Sequence, residues 1–213
     1  KEELKRQPNI SWVVDEVTAA FPWEMLQEDL AAKPLAVNSG MVRQMSTDSY
    51  RKAPTSVRGN QVFVIGDPAL EGFMPQLAQA AREAGSIADK LQNRGFEVKR
   101  RVNSNASGIL LDLFASQYKI IHVAAHGVFD GENPDATGIV IGKEAFLTVQ
   151  EIAQMSTVPE LVFVNCCYLG KVEKVTASSR EQRNKLAANI GTQLIRNGVK
   201  AVVVAGWAVD DQA

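Results

Sequence analysis

The sequence has only two histidines and two cysteines, and one of each stands just past a stretch that reads as a buried strand: His126 before Gly127, and Cys167 beside Cys166. A thiol with a free pKa of about 8.5 is mostly protonated at neutral pH, and an imidazole alongside it promotes the thiolate. Such a pair attacks a carbonyl carbon and needs backbone N–H groups to hold the oxyanion that forms. The N–H groups of Gly127 and Cys167 are the candidates for that oxyanion hole. Gly127 and Gly170 would let a substrate backbone pass close to the pair. No aspartate is obviously placed to orient His126, so the expectation is a dyad.

The remaining chemistry-bearing residues have plainer readings. Cys166 reads as a small core hydrophobe, and His122 as a satisfied histidine inside a strand. Asp67, directly after Gly66, reads as a cap on the turn that follows it. A zinc site built from both histidines and both cysteines is disfavoured, because adjacent cysteines make poor tetrahedral neighbours and the spacing matches no common pattern. Neither a metal nor any other cofactor is expected.

For His126 and Cys167 to meet, two strands must end side by side, about 5 Å apart. Apolar runs at Gln61–Ile65, Phe96–Val102, Tyr118–Ala124, Gly138–Ile141, Leu161–Asn165 and Lys200–Ala205 read as strands. Between them, Pro75–Arg94 carries Leu77, Ala80, Ala81, Ala84, Ile87, Ala88 and Leu91 along one helical face and ends at Gly95. Further helices are expected from Ser104-Asn105 to Ser116, from a Thr148 cap to Met155, and from Arg180 to Asn197 before Gly198. Mostly apolar strands alternating with helices predict an α/β fold with a mostly parallel sheet covered on both faces. Active sites in such sheets lie beyond the carboxyl ends of the strands. Upstream, Ile10–Phe21 has apolar residues at helical spacing, Pro22–Leu30 reads as a short helix, Leu35–Met45 holds a short strand, and Ser46–Asn60 is a loop. Residues 1–60 are thus expected to be a segment leading into or linking to the domain. Residues 61–213 form the core, whose C-terminal part is expected to be missing.

Composition narrows the function classes. With 23 basic and 24 acidic residues the net charge is −1, which leaves no electrostatic footprint for nucleic acid or an anionic membrane. No apolar run reaches the roughly 20 residues that span a bilayer, and no secretory signal opens the sequence. A disulfide between neighbouring cysteines would strain the backbone, so a reducing, cytoplasmic location is expected.

The stretches His122-Val123-Ala124-Ala125-His126-Gly127 and Val164-Asn165-Cys166-Cys167-Tyr168-Leu169-Gly170 resemble the paired signatures of the CHAT family, caspase-like domains related to separases. Pro22-Trp23-Glu24-Met25-Leu26, Val64-Ile65-Gly66-Asp67-Pro68 and Ala205-Gly206-Trp207-Ala208-Val209-Asp210-Asp211 resemble further motifs of that family, in the right order. The resemblance implies a caspase-like three-layer fold with a mostly parallel central sheet flanked by helices. It implies a cysteine endopeptidase with Cys167 as nucleophile and His126 as base, while Cys166 fills the place of the family's usual alanine.

Separases and metacaspases, which the domain resembles, select basic residues with acidic pockets. Asp210 and Asp211 follow the last valine-rich strand at the expected edge and could receive an Arg or Lys of a protein substrate. The family also implies regulation by a partner or signal, a tetratricopeptide-repeat region in the same chain or a partner such as an RNA-guided complex, and service in bacterial defence. The alternative is a catalytically silent scaffold on the same fold. A nucleotide-binding domain ranks behind both, because no glycine-rich phosphate loop follows a strand.

Overall fold

In the computed structural model the chain separates into two compact units, Lys1–Ser49 and Tyr50–Ala213. The structure describes residues 4, 6–29, 31–46, 57–128, 138–155, 157–168 and 177–205; at 149, 153, 167, 168 and 177–186 the description covers the backbone alone.

In the first unit, β1 (Asn9–Val14) pairs in parallel with β2 (Gly40–Met45). The sequence suggests a helix across Ile10–Phe21, but Ile10 and Val14 are buried, Trp12 is partly buried, and Ser11 and Val13 face out. That is the period of two of a half-buried strand; only Thr18–Ala20 coils, as a single 3₁₀ turn. Pro22–Leu30 likewise shrinks to a 3₁₀ turn at Trp23–Met25. The residues of that turn knit the unit together. Trp23 stacks on Trp12 with ring centroids 4.7 Å apart, and Glu24 pairs with Arg43 of β2.

The second unit holds β3 (Gln61–Gly66), α1 (Ala78–Gln92), β4 (Glu97–Val102), α2 (Ala106–Ala115), β5 (Ile120–Val128), β6 (Gly138–Gly142), β7 (Ala145–Leu147), α3 (Val149–Ala153), β8 (Leu161–Tyr168), α4 (Ala177–Arg196) and β9 (Ala201–Val204). Five strands lie parallel in the order β4-β3-β5-β8-β9. β3 stops at Gly66 opposite Ala124, and beyond that point β6 takes over the same edge of β5, antiparallel, at Gly127 and Val128. β7 then extends β6 as a short hairpin arm, an element too brief to be read from its three residues.

Alternation along the strands separates two apolar layers. Val62, Val64 and Ala124 face α1, against Ala80, Ala84 and Ala88. Phe63, Ile65, Ile121, Val123, Ala125, Val162, Val164 and Cys166 face the other way, toward Ile109 and Leu113 of α2, Ile152 of α3, and Ile190 and Leu194 of α4. Each fully buried aliphatic or aromatic side chain of this kind contributes about 1.5–3 kcal/mol, so the larger second layer dominates the core. The result is the α/β, three-layer, mostly parallel arrangement expected of a caspase-like fold.

Gly66 sets how close α1 comes to the sheet. A Cβ there would lie 2.2 Å from Ala84 Cβ and 3.0 Å from the Ala80 carbonyl oxygen. The glycine and the alanine stripe therefore let the helix settle directly on the end of β3.

Candidate active site

The histidine and cysteine that stand out in the sequence lie on adjacent strands. β5 and β8 run parallel and in register over eight residue pairs, ending with His126 opposite Cys167 and Gly127 opposite Tyr168. Neighbouring strands are about 4.8 Å apart, and in matched register both residues of a pair belong to the same face of the sheet. His122, Ala124 and His126 share the α1 face with Phe163, Asn165 and Cys167. Cys166 sits one residue out of phase and is buried in the opposite layer, in the same apolar cluster as Val164, Ala125, Ile190 and Leu194.

β5 and β8 run further than the sequence predicts. The sequence reading stops the strands at Ala124 and Asn165, leaving His126 and both cysteines in the loops beyond. In the structure the ladder runs on, so His126, Gly127 and Cys167 all lie inside strands. Small residues, Ala124-Ala125 and Cys166, look weak as strand formers. Pairing of β5 with β8 through these positions, Ala125 opposite Cys166, with β6 joining β5 at Gly127 and Val128, keeps them extended.

His126 is 1% exposed, and its Nε2 lies 2.7 Å from the backbone carbonyl oxygen of Pro75. A carbonyl oxygen can only accept, so Nε2 carries the proton and, in the neutral ring, Nδ1 holds the lone pair. Nδ1 is buried and has no hydrogen-bond partner among the described residues. The orienting group is thus a main-chain oxygen in the loop ahead of α1, which no inspection of side-chain types could have located.

Two positions back on the same face lies a second polar cluster. His122 is buried, with its ring stacked on Phe163 at 5.0 Å between centroids. Its Nε2 is 3.1 Å from Glu83 Oε1 of α1, at an angle off a straight hydrogen bond. Asn165 Nδ2 donates to the other carboxylate oxygen at 2.8 Å. Glu83 therefore pins α1 to β5 and β8 together. It was not singled out from the sequence. The available signal was a carboxylate next to the alanine stripe of α1, opposite a histidine inside a buried strand.

The His122 ring beside it, against the opposing cost of burial, holds the Glu83 carboxyl below its ordinary 4.5, with Asn165 adding to the effect. A carboxylate whose pKa is depressed by folding stabilises the fold above its unfolded value, and that contribution is lost as pH falls through the folded value. Glu83→Gln is accordingly expected to flatten the acid limb of stability. Thermal unfolding of the native protein and the variant from about pH 7 down to about pH 3 checks this, and equal slopes below 4.5 would contradict it.

Asp67, expected to cap the turn after β3, instead closes the whole loop that leads to α1: its Oδ1 accepts from the Leu77 N–H at 2.8 Å. Asp210 and Asp211 lie outside the described residues, as does Gly170. Among the described residues no three His, Cys, Asp or Glu side chains are grouped to hold a metal ion, and no helix is long and apolar enough to cross a membrane.

An α/β sheet carrying a histidine and a cysteine at matched positions of adjacent parallel strands is the frame the sequence motifs imply. The family model of the CHAT domain matches residues 1–213, and the chain belongs to that family of caspase-like, peptidase-related domains. No curated protein matches it.

Proposed function

We propose that this chain is a cysteine endopeptidase domain in which Cys167 is the nucleophile and His126 its base. The observation that carries this reading is the register of β5 and β8, which sets His126 opposite Cys167 while Pro75 occupies the other ring nitrogen. His126 Nδ1 takes the thiol proton, and the thiolate attacks the scissile carbonyl carbon. The N–H groups of Gly127 and Cys167 hold the oxyanion once the paired ends of β5 and β8 part to admit it. Collapse breaks the C–N bond, His126 returns the proton to the departing amine, and water then hydrolyses the thioester to free the thiol.

Phase along β8 supports Cys167 over Cys166, since Cys166 belongs to the core layer on the face away from His126. The substrate is a protein, cut after Arg or Lys. That preference rests on Asp210 and Asp211 as carboxylates able to receive a guanidinium or ammonium group. A partner or signal raises this activity above a basal level that covalent labelling detects.

The test is covalent labelling with peptidyl acyloxymethyl ketones ending in Arg or in Asp. The native protein and Cys166→Ala are expected to label with the Arg probe, and Cys167→Ala is not. Equal labelling of native protein and Cys167→Ala would remove the assignment. Preference for the Asp probe would remove the basic pocket while leaving the dyad. A silent scaffold would label with neither.

A further inference from the structure

The hydrogen bond that orients His126 joins two separate parts of the fold, a strand that carries the donor and a loop that carries the acceptor. Pro75 is exposed and lies in an irregular stretch between β3 and α1, so its carbonyl position depends on what anchors that stretch. The two residues after it are both tied to one carboxylate oxygen. Asp67 Oδ1 accepts from Gln76 Nε2 and from the Leu77 N–H, each at 2.8 Å. Gln76 closes the loop further, donating to the Pro68 carbonyl at 3.0 Å and accepting from the Leu70 N–H at 3.0 Å. At its other end Asp67 is fixed to the donor strand, because its own N–H donates to the carbonyl of Ala124, two residues before His126.

Asp67 is 4% exposed and held at a φ of +44°, in the left-handed region. That conformation is uncommon outside glycine, and aspartate and asparagine tolerate it best. Asn103 secures it: its backbone N–H donates to the Gly66 carbonyl, and its side-chain amide, turned to satisfy both contacts, reaches the Asp67 carbonyl and Oδ2 at 3.0 Å. A turn cap needs only a backbone N–H about two residues on, whereas Asp67 reaches the far end of the loop. The added tether to β5 and the grip on Gln76 fix both ends of the Pro75–His126 bond.

We infer that Asp67, with Gln76, is a positioning residue for His126, acting through the Pro75 carbonyl; this rests on the thiol-peptidase reading above. Loss of the carboxylate frees the loop, the Pro75 oxygen drifts, and the ring loses the acceptor that fixes its proton on Nε2. Asn at position 67 keeps an oxygen able to accept the same two hydrogen bonds and therefore rescues most of the effect.

The experiment is site-resolved alkylation of Cys167 by iodoacetamide, followed by mass spectrometry across the range from about pH 6 to about pH 9 in which a thiol and an imidazole exchange a proton. Asp67→Ala is expected to slow alkylation at neutral pH by about tenfold to a hundredfold, the cost of misplacing a reacting group by an ångström or so, and to move the profile toward that of an ordinary thiol. In a His126→Ala background the same change is expected to add less than about twofold, because residues acting through one another are non-additive.

A full, additive loss in the His126→Ala background would overturn the inference, showing that Asp67 merely supports the fold. An Asp67→Ala profile identical to native, in a protein whose alkylation does depend on His126, would overturn it while sparing the dyad. Should native and His126→Ala react alike, the dyad itself fails and the inference with it. If Asp67→Ala does not fold, the exposed Gln76→Ala decides: a shifted profile supports the inference and an unchanged one overturns it.

Discussion

Replacing His126 with alanine is expected to lower the rate of peptide hydrolysis by about 10²–10⁴-fold, the range over which a positioned general base contributes. The same variant should lose alkylation of Cys167 at neutral pH and regain it only as pH approaches about 8.5, where a free thiol ionises unaided. His126 is almost wholly buried and its ring fills space under the loop of Pro75, so some loss of thermal stability accompanies the change. His126→Gln fills more of that volume without a basic nitrogen, and its rate should match that of the alanine variant. Rates for both variants measured beside their unfolding midpoints separate the two effects. Hydrolysis retained at the native rate by folded His126→Ala would rule out the base.

The second large effect is on the fold. Gly66→Ala is expected to destabilise the domain by about 3 kcal/mol, at the upper end of ordinary overpacking, because the new Cβ meets Ala84 Cβ at 2.2 Å and a backbone oxygen at 3.0 Å. Neither obstacle is a flexible side-chain end that can rotate away, so the helix must lift. For a domain of this size that corresponds to a fall in melting temperature of about 6–12 °C. Lifting α1 also moves its leading loop, so the variant should lose hydrolytic rate at temperatures where it is still folded. Adding Ala84→Gly removes the closest contact and should restore part of the lost stability, despite the cost of about 1 kcal/mol for glycine within a helix. A double variant less stable than Gly66→Ala alone would refute the steric account.

The parallel sheet was legible because its strands are long apolar runs separated by helices with clear stops, such as Gly95 after α1 and Gly198 after α4. Thr148 was readable as a helix start, and the structure shows a full capping box there with Glu151. β1 resembles a helix in sequence because Ile10, Val13, Val14 and Val17 fit helical spacing, whereas burial follows Ile10, Trp12 and Val14. A short run can satisfy both periods, and β-sheet pairing with β2 decided between them. For the site, residue types pointed to His126 and the cysteine pair, while the register that separates Cys166 from Cys167 is a property of pairing between distant strands. Glu83 and Asp67 serve that region through contacts fixed by the packing of α1, which no local pattern encodes.

The Pro75 contact has a consequence for how this protein can vary. The group that holds the His126 proton in place is a peptide oxygen, and every amino acid supplies one. A codon change at position 75 leaves that oxygen in the chain, and a side-chain truncation survey would pass over it without a signal. Selection can act on it only indirectly, through the neighbours that set the path of the loop. Only a change to the main chain itself, such as an ester in place of the amide between Pro75 and Gln76, would weaken the acceptor without moving it.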